Sequence, residues 1–223
     1  MNTNLFRGLV VAALLSGTVA SAEADDMTTM QTYDWSGVHI GVFAGYGAGE
    51  TDWTYPLYHT ETHPDFSGAL GGVMAGASYQ NGSYVVGVEG DIAAANWQGS
   101  ASCPNTDYDC EVDFDWMATV RGRAGIAFDQ TLIYATGGVA GIGGTGRTIE
   151  LASGDAVEIA SQQWGWTAGA GIEWGVLENI SLRGEALFFD LGHKEYGSAA
   201  EDNLIRLGLT GYQVRAGLIW RFP

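Results

Sequence analysis

Eight stretches of about ten residues, each alternating small or apolar side chains with polar ones, fill this chain of 223 residues, and the gaps between them are alternately very short and long. In an extended strand successive side chains point to opposite faces, so each stretch is committed to a sheet with one apolar and one polar face. A strand crossing a bilayer core of about 30 Å needs only about 9 to 11 residues, so the signal per stretch is weak and the repetition carries the argument. The pattern predicts an all-β fold: an eight-stranded antiparallel up-and-down transmembrane β-barrel with short periplasmic turns and long extracellular loops.

Composition narrows the class. Gly 34 against Pro 4 is far above ordinary glycine usage, yet there is no Gly-X-Y period and no low-complexity tract, which excludes collagen and disorder. Much of the glycine falls inside the strand-like stretches, where a small barrel's crowded lumen and strong curvature favour residues without bulk. The N-terminus carries Arg7, an apolar run from Leu9 to Leu15 and the small-x-small pattern Ala20-Ser21-Ala22. These read as a secretory signal peptide over 1–22, followed by a short periplasmic segment over 23–33 and the barrel over 34–223. No later window approaches 18 consecutive apolar residues, so the expected crossing is by strands. Export combined with the barrel pattern points to the outer membrane of a Gram-negative cell.

The first stretch, Asp34 to Gly47, sets Val38, Ile40, Val42, Ala44 and Tyr46 against His39, Gly41, Phe43 and Gly45. Similar opposition recurs through Val86, Val88, Ile92 and Ala94 against Glu89 and Asp91, and through Ala118, Val120, Ala124 and Ile126 against Thr119, Arg121 and Arg123. It continues in Trp164 to Trp174 against Thr167 and Glu173, in Ile180, Leu182, Ala186 and Phe188 against Ser181, Arg183 and Glu185, and in Val214 to Phe222 against Arg215 and Arg221. Asn81-Gly82, Asp129-Gln130 and Glu178-Asn179 supply the short turns. The long gaps, near 48–68, 98–113, 145–161 and 192–204, all follow odd-numbered stretches, which places them outside the cell if both termini are periplasmic. Aromatics gather where two interfacial girdles are expected. Trp35, Tyr79, Tyr84, Phe128, Tyr134, Trp174, Trp220 and Phe222 fall near the periplasmic ends, and Tyr46, Trp97, Trp116, Trp164, Trp166, Phe188 and Tyr212 near the outer ends.

The polar face carries the candidate site. Glu89, Asp91, Glu173 and Glu185 share it with Arg121, Arg123, Arg183, Arg215 and Arg221. An eight-stranded interior is just wide enough for side chains to fill, so these charges are expected to form an ion-pair network that plugs the barrel. A gated ion path along the same charges is the alternative. The formal charge of -17 speaks against a nucleic-acid partner, which needs a basic face. Most of the surplus acid lies in the outer gaps, including Glu50, Asp52, Glu61, Asp65, Asp107, Asp109, Glu111, Asp113, Glu150, Asp155, Glu158, Glu195, Glu201 and Asp202. That acid keeps an exposed face solvated, and it could also meet divalent or other cationic partners beside anionic lipopolysaccharide.

Cys103 and Cys110 bracket one outer gap and, in an exported protein, are expected to form a disulfide that ties that loop. His59, Glu61, His63 and Asp65 lie close together but match no metal motif, so neither a metal nor a cofactor is expected. His193, with Ser198 nearby, is where a lipid-modifying hydrolase would place its base, yet no nucleophile elbow accompanies them and catalysis is not expected.

Tyr33-Asp34-Trp35-Ser36-Gly37-Val38-His39-Ile40-Gly41-Val42-Phe43-Ala44-Gly45-Tyr46-Gly47 resembles the W-x-G-x-Y-x-G-x-x-x-G-Y opening of the small outer-membrane β-barrel proteins of alphaproteobacterial type. These are relatives of the opacity-type surface antigens and of the OmpA transmembrane domain. The likeness runs on through Gly87 to Asp91, Thr119 to Gly125, Arg183 to Glu185, Asp190 to Gly192, and the closing Val214 to Phe222. The resemblance implies an eight-stranded barrel delivered to the barrel-assembly machinery, with Trp220 and Phe222 in the terminal assembly signal and outer-membrane lipid and lipopolysaccharide as surroundings. It implies a structural and surface-contact role through an unidentified extracellular ligand, without catalysis; a small porin-like channel and an outer-membrane lipid-modifying enzyme are the alternatives. His39 stands where the family usually has Tyr, and Pro223 follows the usual terminal aromatic. With no peptidoglycan-binding domain expected after the barrel, anchoring to the cell wall in the OmpA manner is not implied.

Overall fold

A computed structural model describes residues 33–55, 60–102, 108–150, 156–196 and 205–222. The expected signal peptide, nearly all of the 23–33 segment, His59, Cys103, Ser198 and Pro223 lie outside the described residues. Strands are β1 Gly37–Tyr55, β2 Thr60–Thr62, β3 Asp65–Asn81, β4 Tyr84–Ser102, β5 Tyr108–Phe128, β6 Thr131–Glu150, β7 Ala156–Leu177, β8 Ile180–Tyr196 and β9 Ile205–Phe222. Each long strand pairs antiparallel with its neighbours in the order β1-β3-β4-β5-β6-β7-β8-β9, and β9 returns to β1 from Val38↔Phe222 to Thr54↔Arg206. That last ladder closes an eight-stranded barrel with no free edge at the seam, while the short β2 pairs with the outer end of β1.

The periplasmic connections are two-residue turns. The first is centred one residue later than expected, at Gly82-Ser83, because Asn81 and Tyr84 already pair across the hairpin. Gly82 takes φ +60°, and Asp129, first in the second turn, takes φ +51°, the left-handed geometry that tight hairpins need.

The outer gaps depart from expectation. The eight long strands are 17 to 22 residues each and run deep into the segments expected to be loops. At about 3.3 Å per residue and a tilt near 40° they rise roughly 45 to 55 Å, against an apolar band about 25 Å tall. The barrel therefore stands well clear of the membrane on its outer side, and its side-chain pattern inverts there. Within the band Val42, Val88, Val120, Val139, Ile172 and Val214 face out, while charged residues face in. Above it Trp53, Phe66, Trp97, Val112, Phe114, Leu207 and Leu209 face in, while Glu50, Ser67, Asn96, Gln98, Ser100 and Gln162 are exposed. Lipid rewards apolar surface outside; water rewards it inside.

Two irregularities manage this change. At Asp115 an extra residue enters β5, so that inward positions shift from the even residues Cys110, Val112 and Phe114 to the odd residues Met117, Thr119, Arg121 and Arg123. In β8 the pairing slips at Leu191-Gly192, where Gly192 takes φ +64° and donates its N–H to Asp190 Oδ1 at 2.8 Å.

Three aromatics assigned to the girdles point inward instead. Trp35 and Tyr134 belong to a buried cluster with Tyr33, Val85, Ala127 and Leu132, and Trp97 lies in the outer lumen. Trp97 follows the parity of Glu89, Asp91 and Ala93, and Tyr134 that of Leu132 and Thr136, so strand position overrides the aromatic's usual interfacial preference. Of the others, Tyr79, Tyr84, Phe128, Trp174, Trp220 and Phe222 are exposed at the periplasmic side and Tyr46, Trp164, Trp166, Phe188 and Tyr212 at the outer side, while Trp116 is half-buried beside the β5 bulge, its ring centre 6.4 Å from that of Trp164.

Candidate functional site

All nine charged residues of the expected lumen network are buried and lie in one connected cluster. Register makes this possible. Glu89 pairs with Arg121 across β4 and β5, Glu173 with Arg183 across β7 and β8, and Glu185 with Arg215 across β8 and β9, so opposite charges already sit side by side on one face.

Two groups share Glu89. In one, Arg121 Nη2 donates to Glu89 at 3.0 Å and to Asp91 at 2.9 Å, while its Nη1 meets Glu185 at 3.1 Å. Arg215 completes that group by donating from Nε to Glu185 at 2.6 Å and from Nη2 to Asp91 at 3.1 Å. In the other, Arg183 reaches Glu89 Oε2 at 2.6 Å and Glu173 at 2.8 Å, and Glu173 also receives Arg123 at 3.1 Å and Arg221 at 2.9 Å. The barrel interior at this level is spanned from β4 through β5, β7, β8 and β9 by bonded charges.

Neutral side chains add further bonds to the ions. Thr119 donates to Asp91 at 2.6 Å, Ser181 to Glu173 at 2.6 Å and Tyr134 to Glu185 at 2.7 Å, and Ser78 accepts from Arg123 Nη2 at 2.7 Å. The guanidinium groups of Arg123 and Arg183 lie 5.5 and 5.6 Å from the Tyr134 ring centre, and that of Arg215 lies 4.4 Å from Phe43. His39 Nε2 sits 3.0 Å from Glu89 Oε2. Sequence reasoning set His39, Thr119 and Ser181 on inward faces without naming them in the network; their inward parity is the signal that finds them. A cluster with this many mutual bonds behaves as a rigid plug, and removing one partner leaves a buried charge at a cost on the order of 3 to 5 kcal/mol.

The periplasmic mouth has its own stopper. Trp35 is fully buried, its backbone N–H donates to Gln80 Oε1 at 2.8 Å, and its backbone carbonyl accepts from Arg221 Nη1 at 2.7 Å. Tyr33 packs on Trp35 with ring centres 4.5 Å apart, and the Arg221 guanidinium lies 5.2 Å from the Trp35 ring centre. Asp34 beside them accepts the Ser36 N–H, which holds its carboxyl below the usual range.

The remaining candidates that the structure describes lie outside the ionic layer. Cys110 is buried in the outer lumen, and its expected partner Cys103 lies outside the described residues. His63 Nδ1 lies 2.7 Å from Asp52 Oδ1, and among the described residues no group of three metal-ligating side chains forms. His193 is exposed on β8 beside Gly208. Trp220 and Phe222 stack outward with ring centres 5.9 Å apart.

Residues 9–222 match the family described as outer membrane protein β-barrel domain. The chain is 30% identical over 222 residues to a 31 kDa outer-membrane immunogenic protein of Brucella melitensis, covering 92% of this chain and 90% of that one. It is 29% identical over 182 residues to a 22 kDa outer membrane protein of Rhizobium leguminosarum, covering 78% and 76% of the two chains. Among solved structures it is similar in fold to the outer membrane protein OprG of Pseudomonas aeruginosa, with a TM-score of 0.53, 12% identity, and 86% and 100% of the two chains covered.

Proposed function

The chain belongs to the outer membrane protein β-barrel domain family, and from that membership we propose that it is a non-catalytic structural and surface-contact protein of the envelope. Its place is the outer membrane of a Gram-negative cell, where its relatives are outer-membrane proteins and immunogens. The observation that carries the proposal is the bonded ionic layer: a lumen crossed by Glu89, Glu173, Arg121 and Arg183 in mutual contact supports a closed pillar over a conduit. The work then falls to the two outside surfaces. One is the apolar band with its aromatic girdles, which holds the barrel in lipid; the other is the projecting polar wall, which meets whatever lies beyond the lipopolysaccharide.

Planar-bilayer recording of the purified folded protein tests the closed pillar, and no reproducible unit conductance is expected. Regular conductance steps, abolished by unfolding the protein, would replace this reading with a small channel. Deletion of the gene should sensitise cells to detergents and large antibiotics, with rescue by the wild-type chain. Altered lipid A mass that depends on His193 would instead establish an enzyme.

A further inference from the structure

A histidine sits inside the ionic layer. His39 is fully buried, and its Nε2 lies 3.0 Å from Glu89 Oε2. An ionised carboxylate only accepts, so the hydrogen of that bond belongs to Nε2, and a neutral ring is left with a bare lone pair at Nδ1. Nδ1 is buried and has no hydrogen-bond partner. The ring is also closely held. Gly76, its strand partner on β3, leaves the space the ring fills, and a Cβ there would come within 2.8 Å of Nε2.

The charges around His39 leave no place for another cation. Among the described residues the layer sets five buried guanidinium groups against four buried carboxylates. Glu89 of β4 faces the ring directly, but its Oε1 already accepts from Arg121 and Arg183. Arg183 of β8 and Arg123 of β5 reach the same Glu89 Oε2 that the ring meets, at 2.6 and 3.9 Å, and Arg221 of β9 is the strand partner of His39 on its other side. Behind these, Glu173 of β7 is engaged by Arg123, Arg183 and Arg221, and the Tyr134 ring of β6 lies against Arg123 and Arg183. From β3, the Ser78 hydroxyl is taken by Arg123, and the exposed Asp34 at the periplasmic mouth acts on Arg221. A proton added to His39 would place a further surplus charge in this buried layer and turn Nδ1 into a donor with nothing to receive it.

We propose that His39 makes the seal acid-sensitive: acid weakens the closed barrel through this one side chain, which gains a proton only as the ionic layer comes apart. The inference rests on reading the layer as the seal of a closed pillar, and it gives that seal a regulator. Linkage fixes the sign. An imidazole in the open chain takes up a proton below about pH 6.5, so stability is whole above that range and is lost as pH falls through it. Carboxylates of the open chain take up protons chiefly below about pH 4.5, so the four acids of the layer act in a lower window.

Reversible urea unfolding of the mature protein from lipid vesicles, at pH 7.5 and at pH 5.0, tests the proposal. The folding equilibrium constant should fall about thirtyfold between the two, the effect of one proton taken up on unfolding by a group that titrates near 6.5 in the open chain. In His39→Gln, which keeps an amide donor toward Glu89, the fall should be no more than about threefold. An equal fall in both chains, or none in the wild type, would overturn the proposal. Should His39→Gln fail to fold, nitrogen NMR of the histidine-labelled wild type decides: in the folded barrel at pH 5.5 the His39 ring must stay neutral with its hydrogen on Nε2, and a charged ring there sinks the idea. Conductance at neutral pH, which decides whether the layer is a seal at all, is independent of this slope, so the two readings fail separately.

Discussion

At the scale of single residues, glycines separate what the wall requires from what it tolerates. A Cβ on Gly47 would drive into the Trp97 indole, which lies flat against that stretch of β1, whereas a Cβ on lipid-facing Gly71 would meet nothing nearer than the Phe43 carbonyl oxygen at 3.6 Å. The first glycine makes room for a buried ring; the second leaves a hollow on the outside. Gly47→Ala should therefore destabilise the barrel by about 1 to 3 kcal/mol, the usual cost of overpacking a filled interior. Gly71→Ala should be neutral or stabilising by up to about 1 kcal/mol, since it restricts the unfolded chain and strains nothing. Urea unfolding from lipid vesicles, read by tryptophan emission and by gel migration, measures both. Equal effects of the two substitutions would mean that the Trp97 packing does not constrain β1.

At the scale of strands, legibility in the sequence stops where the solvent changes. The transmembrane stretches could be read because their apolar face is also their lipid face: Val88 and Ile92 against Glu89 and Asp91 leave one sensible orientation. Arg121, Arg183 and Glu173 followed from the same parity, and so their convergence was accessible without coordinates. The outer extensions look like loops in the sequence because there the code reverses, with Phe66, Val112 and Leu209 turned inward and short polar residues outward. A bulge at Asp115 breaks the parity of β5 just where the reversal begins. The stopper made by Trp35 and the inward turn of Tyr134 were hidden for a related reason, because an aromatic near a membrane interface has two plausible sites and only the strand register chooses between them. The reversal makes a sharp prediction for one substitution at two heights. Val120→Arg, on the lipid face at mid-band, should cost about 2 to 4 kcal/mol, while Gln98→Arg, on the outer face of the projecting wall, should stay within about 0.5 kcal/mol. Comparable losses from vesicle unfolding would place Gln98 in the membrane and remove the projecting wall.

At the scale of the whole molecule, a barrel is stable only when its first and last strands meet, and Arg221 concentrates that event. It lies on β9 opposite His39 of β1, donates to the Trp35 carbonyl from the segment preceding β1, and pairs with Glu173 on β7. One guanidinium thus joins the closing ladder, the periplasmic stopper and the ionic layer, three features that come together only when the ring is complete. Its planar fork addresses two acceptors at once, which a lysine's single ammonium does not reproduce with the same geometry. Arg221→Met strands the buried Glu173 carboxylate beside fewer cations and releases the Trp35 carbonyl, so the loss should reach about 3 to 5 kcal/mol. Arg221→Lys, which keeps the charge and gives up the fork, should fall between that variant and the wild type. Migration of the unheated protein after incubation at stepped temperatures reads the opening of the closed barrel directly, and the three chains should open in the order Met, Lys, Arg as temperature rises. If Arg221→Met opens at the wild-type temperature, closure is carried by the β1–β9 ladder alone and the stopper is only a cover for the mouth.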